Sequence, residues 1–195
     1  MRRMATKSRL LPVPEIQQRP LSGREYEWLA DYARDYHGER LELWDGVLVG
    51  EAGAGYDAEP PRHDFMIARV AETLIKGVAS AYAVRPNGRL YLDEDRFVVP
   101  DFAIVAAPLT PGHPRGAHAI VEVTCTSTIR DLQEKPRIYA DLGVSEYWSV
   151  DLILDAVHVH RDPVADRYRR ITTHRAPEVL HLAGATLDLA VLLST

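Results

Sequence analysis

The chain has 195 residues, 46% of them hydrophobic and 26% charged, with a formal net charge of −5. That length supports one domain with a sizeable core, the balance is that of an ordinary globular protein, and no apolar run approaches the ~18 residues of a membrane span. The acidic net charge argues against a broad, constitutive grip on nucleic acid. The single cysteine, Cys125, excludes an intrachain disulfide and a cysteine-based zinc cluster. The basic N-terminus lacks the apolar core of a signal peptide, so the cytoplasm is the expected compartment.

In chain order, residues 1–20 read as a flexible, Pro-containing basic arm. Ser22-Gly23-Arg24-Glu25 is a capping-box pattern, and Trp28, Leu29, Tyr32, Ala33 and Tyr36 give the helix it opens an apolar stripe that Gly38 ends. Arg40 to Val49 alternates around Asp45-Gly46, a strong hairpin signal. The Gly-, Pro- and acid-rich stretch 50–62 reads as a loop. A second helix is predicted from about His63 to Tyr82, with Ile67, Val70, Leu74 and Val78 toward the core.

A strand-rich block follows. Strands are predicted over Leu90–Leu92, Phe97–Ala106 and Ala119–Thr124, with turns at Asn87-Gly88 and Asp93–Asp95. Thr128 with Asp131 resembles an N-cap for a helix that runs to Leu142, with Gly143 as its cap. Glu146–Leu152 and Val157–Arg161 read as a strand pair, Arg167–Thr173 as an edge strand, and Thr186–Leu193 as a short apolar C-terminal piece.

Two acids stand out within this pattern. Asp101 immediately precedes the apolar run 102–105, and Glu122 interrupts the run Ala119–Val123. Carboxylates in strands that otherwise read as buried are costly unless something pairs them. A hard divalent cation is the simplest partner, because it takes carboxylate oxygens. Lys135 follows in the next helical segment. Arginines outnumber lysines 20 to 3, so a lysine beside the two acids suggests a need for a compact ammonium. Two acids and a lysine raise the hypothesis of a metal-dependent phosphodiester-cleaving site.

Other motifs carry less. Gly50 to Gly55 lacks both phosphate-loop patterns. Cys125 and Arg130 are one residue too close for a cysteine-phosphatase loop, so Cys125 reads as a small packed residue. His158 and His160 share a strand face, with no third metal ligand evident, and read as exposed. No G-x-S-x-G occurs. The basic stretches 1–24 and 161–175 could touch phosphates, although a tail and a solvated strand face explain them as well. Glu42 is expected in solvent, opposite its apolar neighbours, and His63 is read as a capping or surface histidine or as a functional group.

Several segments together resemble a known family. Leu41-Glu42-Leu43-Trp44-Asp45-Gly46 is similar to the "Y-E-L-x-D-G" hairpin of the Uma-type putative restriction endonucleases, within the PD-(D/E)XK nuclease superfamily. Pro61-Arg62-His63 resembles that family's "P-x-H", Val99-Pro100-Asp101 its "PD", and Val121 to Thr128 its "V-E-V-L-S-P-S-T". Asp131 to Lys135, Tyr139-Ala140, Gly143-Val144 and Glu146 to Asp151 continue the likeness in order. Three positions depart from it. Thr124 stands where the superfamily's E-x-K has lysine, though the family tends to place that lysine on the following helix, as Lys135 is. Cys125-Thr126 replaces Ser-Pro. Pro136 is unexpected inside a helix and fits the start of a new helical segment, on which the reach of Lys135 depends.

The resemblance implies an α/β fold, a restriction-endonuclease-like mixed central sheet flanked by helices, with residues 21–195 as a single nuclease-like domain. It implies Asp101 and Glu122 on neighbouring strands holding Mg²⁺ or Mn²⁺, with the Val123 carbonyl as a further ligand. Lys135 would orient water or stabilise charge, and Glu42 and His63 would complete the metal shell or position a phosphate. The implied reaction is hydrolysis of a DNA phosphodiester by a homodimer, with no membrane partner. RNA or small phosphodiesters are an alternative substrate. A non-catalytic nucleic-acid-binding or scaffold protein on a degenerate nuclease fold is the alternative function.

Overall fold

The computed structural model describes residues 41–44, 47–50, 61–91, 96–125 and 133–194. The basic arm, the helix expected over 22–38, the Asp45-Gly46 turn, residues 51–60 of the glycine-rich stretch, the Asp93–Asp95 turn and the N-cap expected at Thr128 and Asp131 lie outside them. The elements are β1 (Leu41–Trp44), β2 (Val47–Gly50), α1 (Pro61–Gly77), β3 (Tyr82–Pro86), β4 (Leu90–Tyr91), β5 (Phe97–Val98), β6 (Phe102–Ala106) and β7 (Ala119–Thr124). They continue with α2 (Lys135–Asp141), β8 (Glu146–Asp151), β9 (Ala156–Val164), β10 (Arg167–His174), β11 (Val179–Leu182), β12 (Ala185–Asp188) and α3 (Leu189–Leu192).

The apolar run of β7 is buried at every position, as a strand covered on both faces must be. It lies inside a six-stranded sheet ordered β10-β9-β8-β7-β6-β3. β7 and β8 pair in parallel, the other neighbours antiparallel. A parallel pair needs a crossover, and α2 lies in that connection. The expected mixed α/β architecture is therefore present, with a largely antiparallel central sheet. A smaller sheet ordered β2-β1-β5-β4 and a β11-β12 hairpin accompany it.

Side-chain alternation divides β7 between two cores. Ala119, Val121 and Val123 join Met66, Val70 and Leu74 of α1, and Trp148 and Val150 of β8, in the larger core. Ile120 belongs to the other, with Tyr139 and Ala140 of α2, Tyr147, Val144 and Tyr168. Glu122 and Thr124 share the parity of Ile120, so they open toward the α2 face. Each fully buried large apolar side chain contributes roughly 1.5–3 kcal/mol, and Trp148→Ala, at the centre of the larger core, is expected to cost about 3–5 kcal/mol.

Two expectations are corrected, and the C-terminal piece gains a structure. The second helix stops at Gly77 rather than Tyr82, and Tyr82–Pro86 pairs with β6 as an unpredicted strand. A Cβ on Gly77 would stand 2.8 Å from the Ala185 Cα, so the helix end docks on β12 where only glycine fits. The run Phe97–Ala106 is two strands in two sheets, because Pro100 cannot donate to a ladder and the chain bends at Asp101. The last apolar segment is β12 followed by one turn of helix, capped by Asp188 accepting from the N–H groups of Ala190 and Val191. Among the described residues no helix is long and apolar enough to cross a membrane.

Candidate active site

The pairing Phe102↔Val121 is the last β6–β7 step toward the C-terminal end of β7. One step further, Asp101 stands opposite Glu122, and side chains take over from the ladder. The Val123 N–H donates to Asp101 Oδ2 at 2.9 Å, and the Asp101 N–H donates to Glu122 Oε2 at 3.3 Å. Both acids are buried, at 5% and 3% exposure, so their placement needs partners.

Helix α2 supplies two of them. Lys135 and Tyr139 are four residues apart, hence on one helix face. Lys135 Nζ lies 3.4 Å from Glu122 Oε1, and the Tyr139 hydroxyl donates to the same oxygen at 2.6 Å. Pro136 sits in the first turn of α2, where its missing N–H is no loss. A π-helical turn at 133–134 leads into α2 without a break at Pro136, and Lys135 reaches the acid. Burial, then the charges of Glu122 and Glu42, hold the Tyr139 phenol well above its ordinary value, so it is a neutral donor. Sequence reading did not single out Tyr139 as a site residue. Its signal was the spacing of four from Lys135.

The other two candidates are buried, Glu42 against the expectation of solvent exposure. His63, in the first turn of α1, is 4% exposed, and its Nε2 lies 3.1 Å from the Val123 carbonyl oxygen. A carbonyl only accepts, so Nε2 carries the proton. In a strand the N–H and C=O of one residue point to the same side, so Val123 turns both toward the place where β6 has ended. Glu42, 4% exposed, accepts the Val99 N–H on Oε1 at 2.9 Å. It thereby grips the backbone two residues before Asp101. Its charge also acts on Tyr139.

A family model described as Uma2, putative restriction endonuclease, matches residues 24–192. The chain belongs to the Uma2 family. The segments in which the likeness to this family was read, at 42, 63, 101, 122 and 135, are those that meet around the end of β7. A crystal structure of a putative nuclease of the DUF820 group from Anabaena variabilis has the same fold as this Uma2 chain, with a TM-score of 0.67 at 13% identity. The match covers 89% of this chain and 98% of that one. No curated protein matches the sequence.

Restriction-endonuclease-like families such as Uma2 generally use divalent metals. The donor set here suits a hard cation. Asp101 and Glu122 are buried side by side, Lys135 Nζ lies 3.4 Å from Glu122 Oε1, and the Val123 carbonyl faces the Asp101 side. Among the described residues no three His, Cys, Asp or Glu side chains are grouped to hold a metal ion; Glu42 and His63 bond the backbone at Val99 and Val123. The Asp101 and Glu122 carboxylates and the Val123 carbonyl are hard oxygen donors close together, and the bond to His63 uses only one lone pair of that carbonyl.

The remaining motifs stand apart. His160 is buried rather than exposed, between the rings of Tyr147 and Tyr168 at 5.1 and 5.7 Å. His158 bonds Thr173 Oγ1 and lies 3.6 Å from Asp151. Cys125 packs at the margin of the larger core. Thr124, at the position of the superfamily lysine, is hydrogen-bonded to Ser149 across 3.2 Å.

Proposed function

We propose that the chain is a divalent-metal-dependent endonuclease that hydrolyses DNA phosphodiester bonds. One observation carries the reading: two buried acids at the paired ends of β6 and β7, Asp101 giving its N–H to the Glu122 carboxylate and taking the Val123 N–H on its own, with a buried lysine beside Glu122. Asp101, Glu122 and the Val123 carbonyl would hold Mg²⁺ or Mn²⁺, which when bound supplies Lewis-acid activation of water and neutralises phosphate charge.

The chain's own residues do the rest. The Val123 N–H fixes the Asp101 carboxylate. Lys135 presents a compact ammonium beside Glu122, placed to stabilise charge developing on the phosphate oxygens. Glu42 holds the turn that carries Asp101, and His63 holds the carbonyl of Val123. In this reading both act by keeping ligands in place. The burial of the group lowers the local dielectric and strengthens each of these interactions.

The test is a cleavage panel of supercoiled DNA, single-stranded DNA and RNA, each with Mg²⁺, Mn²⁺ or a chelator. Metal-dependent nicking of DNA, absent in Asp101→Asn, is expected. Cleavage of RNA alone moves the activity to that substrate. A folded protein that binds Mn²⁺ through these acids and cleaves nothing is the non-catalytic alternative. Light scattering checks the expected homodimer.

A further inference from the structure

We propose that Tyr139 is a positioning residue that holds Glu122 Oε1 and leaves Oε2 as the oxygen Glu122 offers on its Asp101 side to a divalent cation. The inference rests on the reading of Asp101 and Glu122 as the metal-binding acids.

A glutamate carboxylate turns about a terminal torsion with a broad, roughly two-fold profile. Backbone packing alone therefore does not decide which oxygen faces which neighbour. Here hydrogen bonds decide it. Oε1 takes the Tyr139 hydroxyl at 2.6 Å and lies 3.4 Å from Lys135 Nζ, whereas Oε2 takes only a long contact of 3.3 Å from the Asp101 N–H. The short bond on one oxygen and the long one on the other fix the plane of the group.

Tyr139 is suited to that task by its own confinement. It is fully buried, and its ring lies 5.0 Å from that of Tyr147. A core position of this kind needs no hydroxyl for packing. Phenylalanine has nearly the same shape, and a buried hydroxyl costs free energy unless it is bonded. Outer-shell donors of this type typically change metal affinity or activity by 10–100-fold when removed.

The experiment measures Mn²⁺ binding to metal-free protein by calorimetry in wild type, Tyr139→Phe, Tyr147→Phe and Glu122→Ala, with circular dichroism to confirm folding. The expected result is about tenfold weaker binding in Tyr139→Phe, unchanged binding in Tyr147→Phe and loss of binding in Glu122→Ala. Nicking by Tyr139→Phe, low at limiting Mn²⁺, should recover at saturating Mn²⁺. Wild-type affinity in Tyr139→Phe, with binding lost in Glu122→Ala, overturns the role of Tyr139 and leaves the acids as assigned. Equal weakening in Tyr139→Phe and Tyr147→Phe, or a Tyr139→Phe chain that does not fold, assigns the residue to packing and also overturns it. No Mn²⁺ binding by wild type, or full binding by Glu122→Ala, overturns both readings.

Discussion

Val123 donates its backbone N–H to the carboxylate of Asp101 at 2.9 Å, at the point where strand β6 has ended and would otherwise have supplied a carbonyl. An acid side chain thus replaces a ladder partner. The buried Asp101 carboxylate and the N–H that the ladder leaves over satisfy each other.

Removal of either acid is expected to abolish cleavage while the fold persists. Asp101→Asn keeps the shape and one acceptor oxygen, so the Val123 N–H retains a partner. Nicking in Mg²⁺ or Mn²⁺ should fall more than about a hundredfold, the scale of losing a preorganised electrostatic group. Activity of Asp101→Asn above a hundredth of wild type counts decisively against the assignment.

Divalent metal is expected to stabilise the fold through the same pair. Two apposed carboxylates repel, and a bound cation removes that cost while adding binding free energy. At a hundredfold excess over its dissociation constant a ligand adds about 2.7 kcal/mol, or roughly 5–10 °C in melting temperature for a chain of this size. Melts with and without Mn²⁺ check this. An equal shift in Asp101→Ala/Glu122→Ala would put the metal elsewhere.

Lys135→Ala is expected to lose on the order of 10²-fold in rate and to keep Mn²⁺ affinity, since an ammonium is no ligand. Lys135→Arg should also be slow, because a planar fork does not replace a point charge. Thr124 shares the Glu122 face of β7, so Thr124→Lys/Lys135→Ala should recover part of the rate, less the loss of the Thr124–Ser149 hydrogen bond. Single-turnover rates of the three variants test the set; wild-type rates in Lys135→Ala remove the lysine from the mechanism.

Stability is expected to fall with acid through His160. Burial, and then the charge of His158, push its imidazole down from 6.5 to about 4. The unfolded chain binds this proton and the folded one does not between those values. Stability is therefore complete above about pH 6.5 and declines as pH falls toward about 4, by about 3 kcal/mol at most. Urea unfolding across this window should show a shallower slope in His160→Phe than in wild type.

The sequence alone determined much of this protein. The apolar run of β7, the helical stripe Val70–Leu74, and acids set against apolar strands are local patterns, and such patterns report which parts of an element are buried. Asp101 and Glu122 stand out for that reason, since each breaks the pattern around it, and Lys135 stands out because lysine is rare in the chain. The tertiary structure decided what joins distant edges. Glu42 grips Val99 across 57 residues, and His63 reaches Val123 across 60. Their motifs marked them, but no local pattern gave these partners, and alternation alone put Glu42 in solvent, because a strand's outer face is buried or not according to what another element lays over it. The split of residues 97–106 between two sheets and the placement of Tyr139 on Glu122 have the same origin. Which unpaired backbone groups and carboxylate oxygens meet depends on how strands from separate parts of the chain are laid side by side.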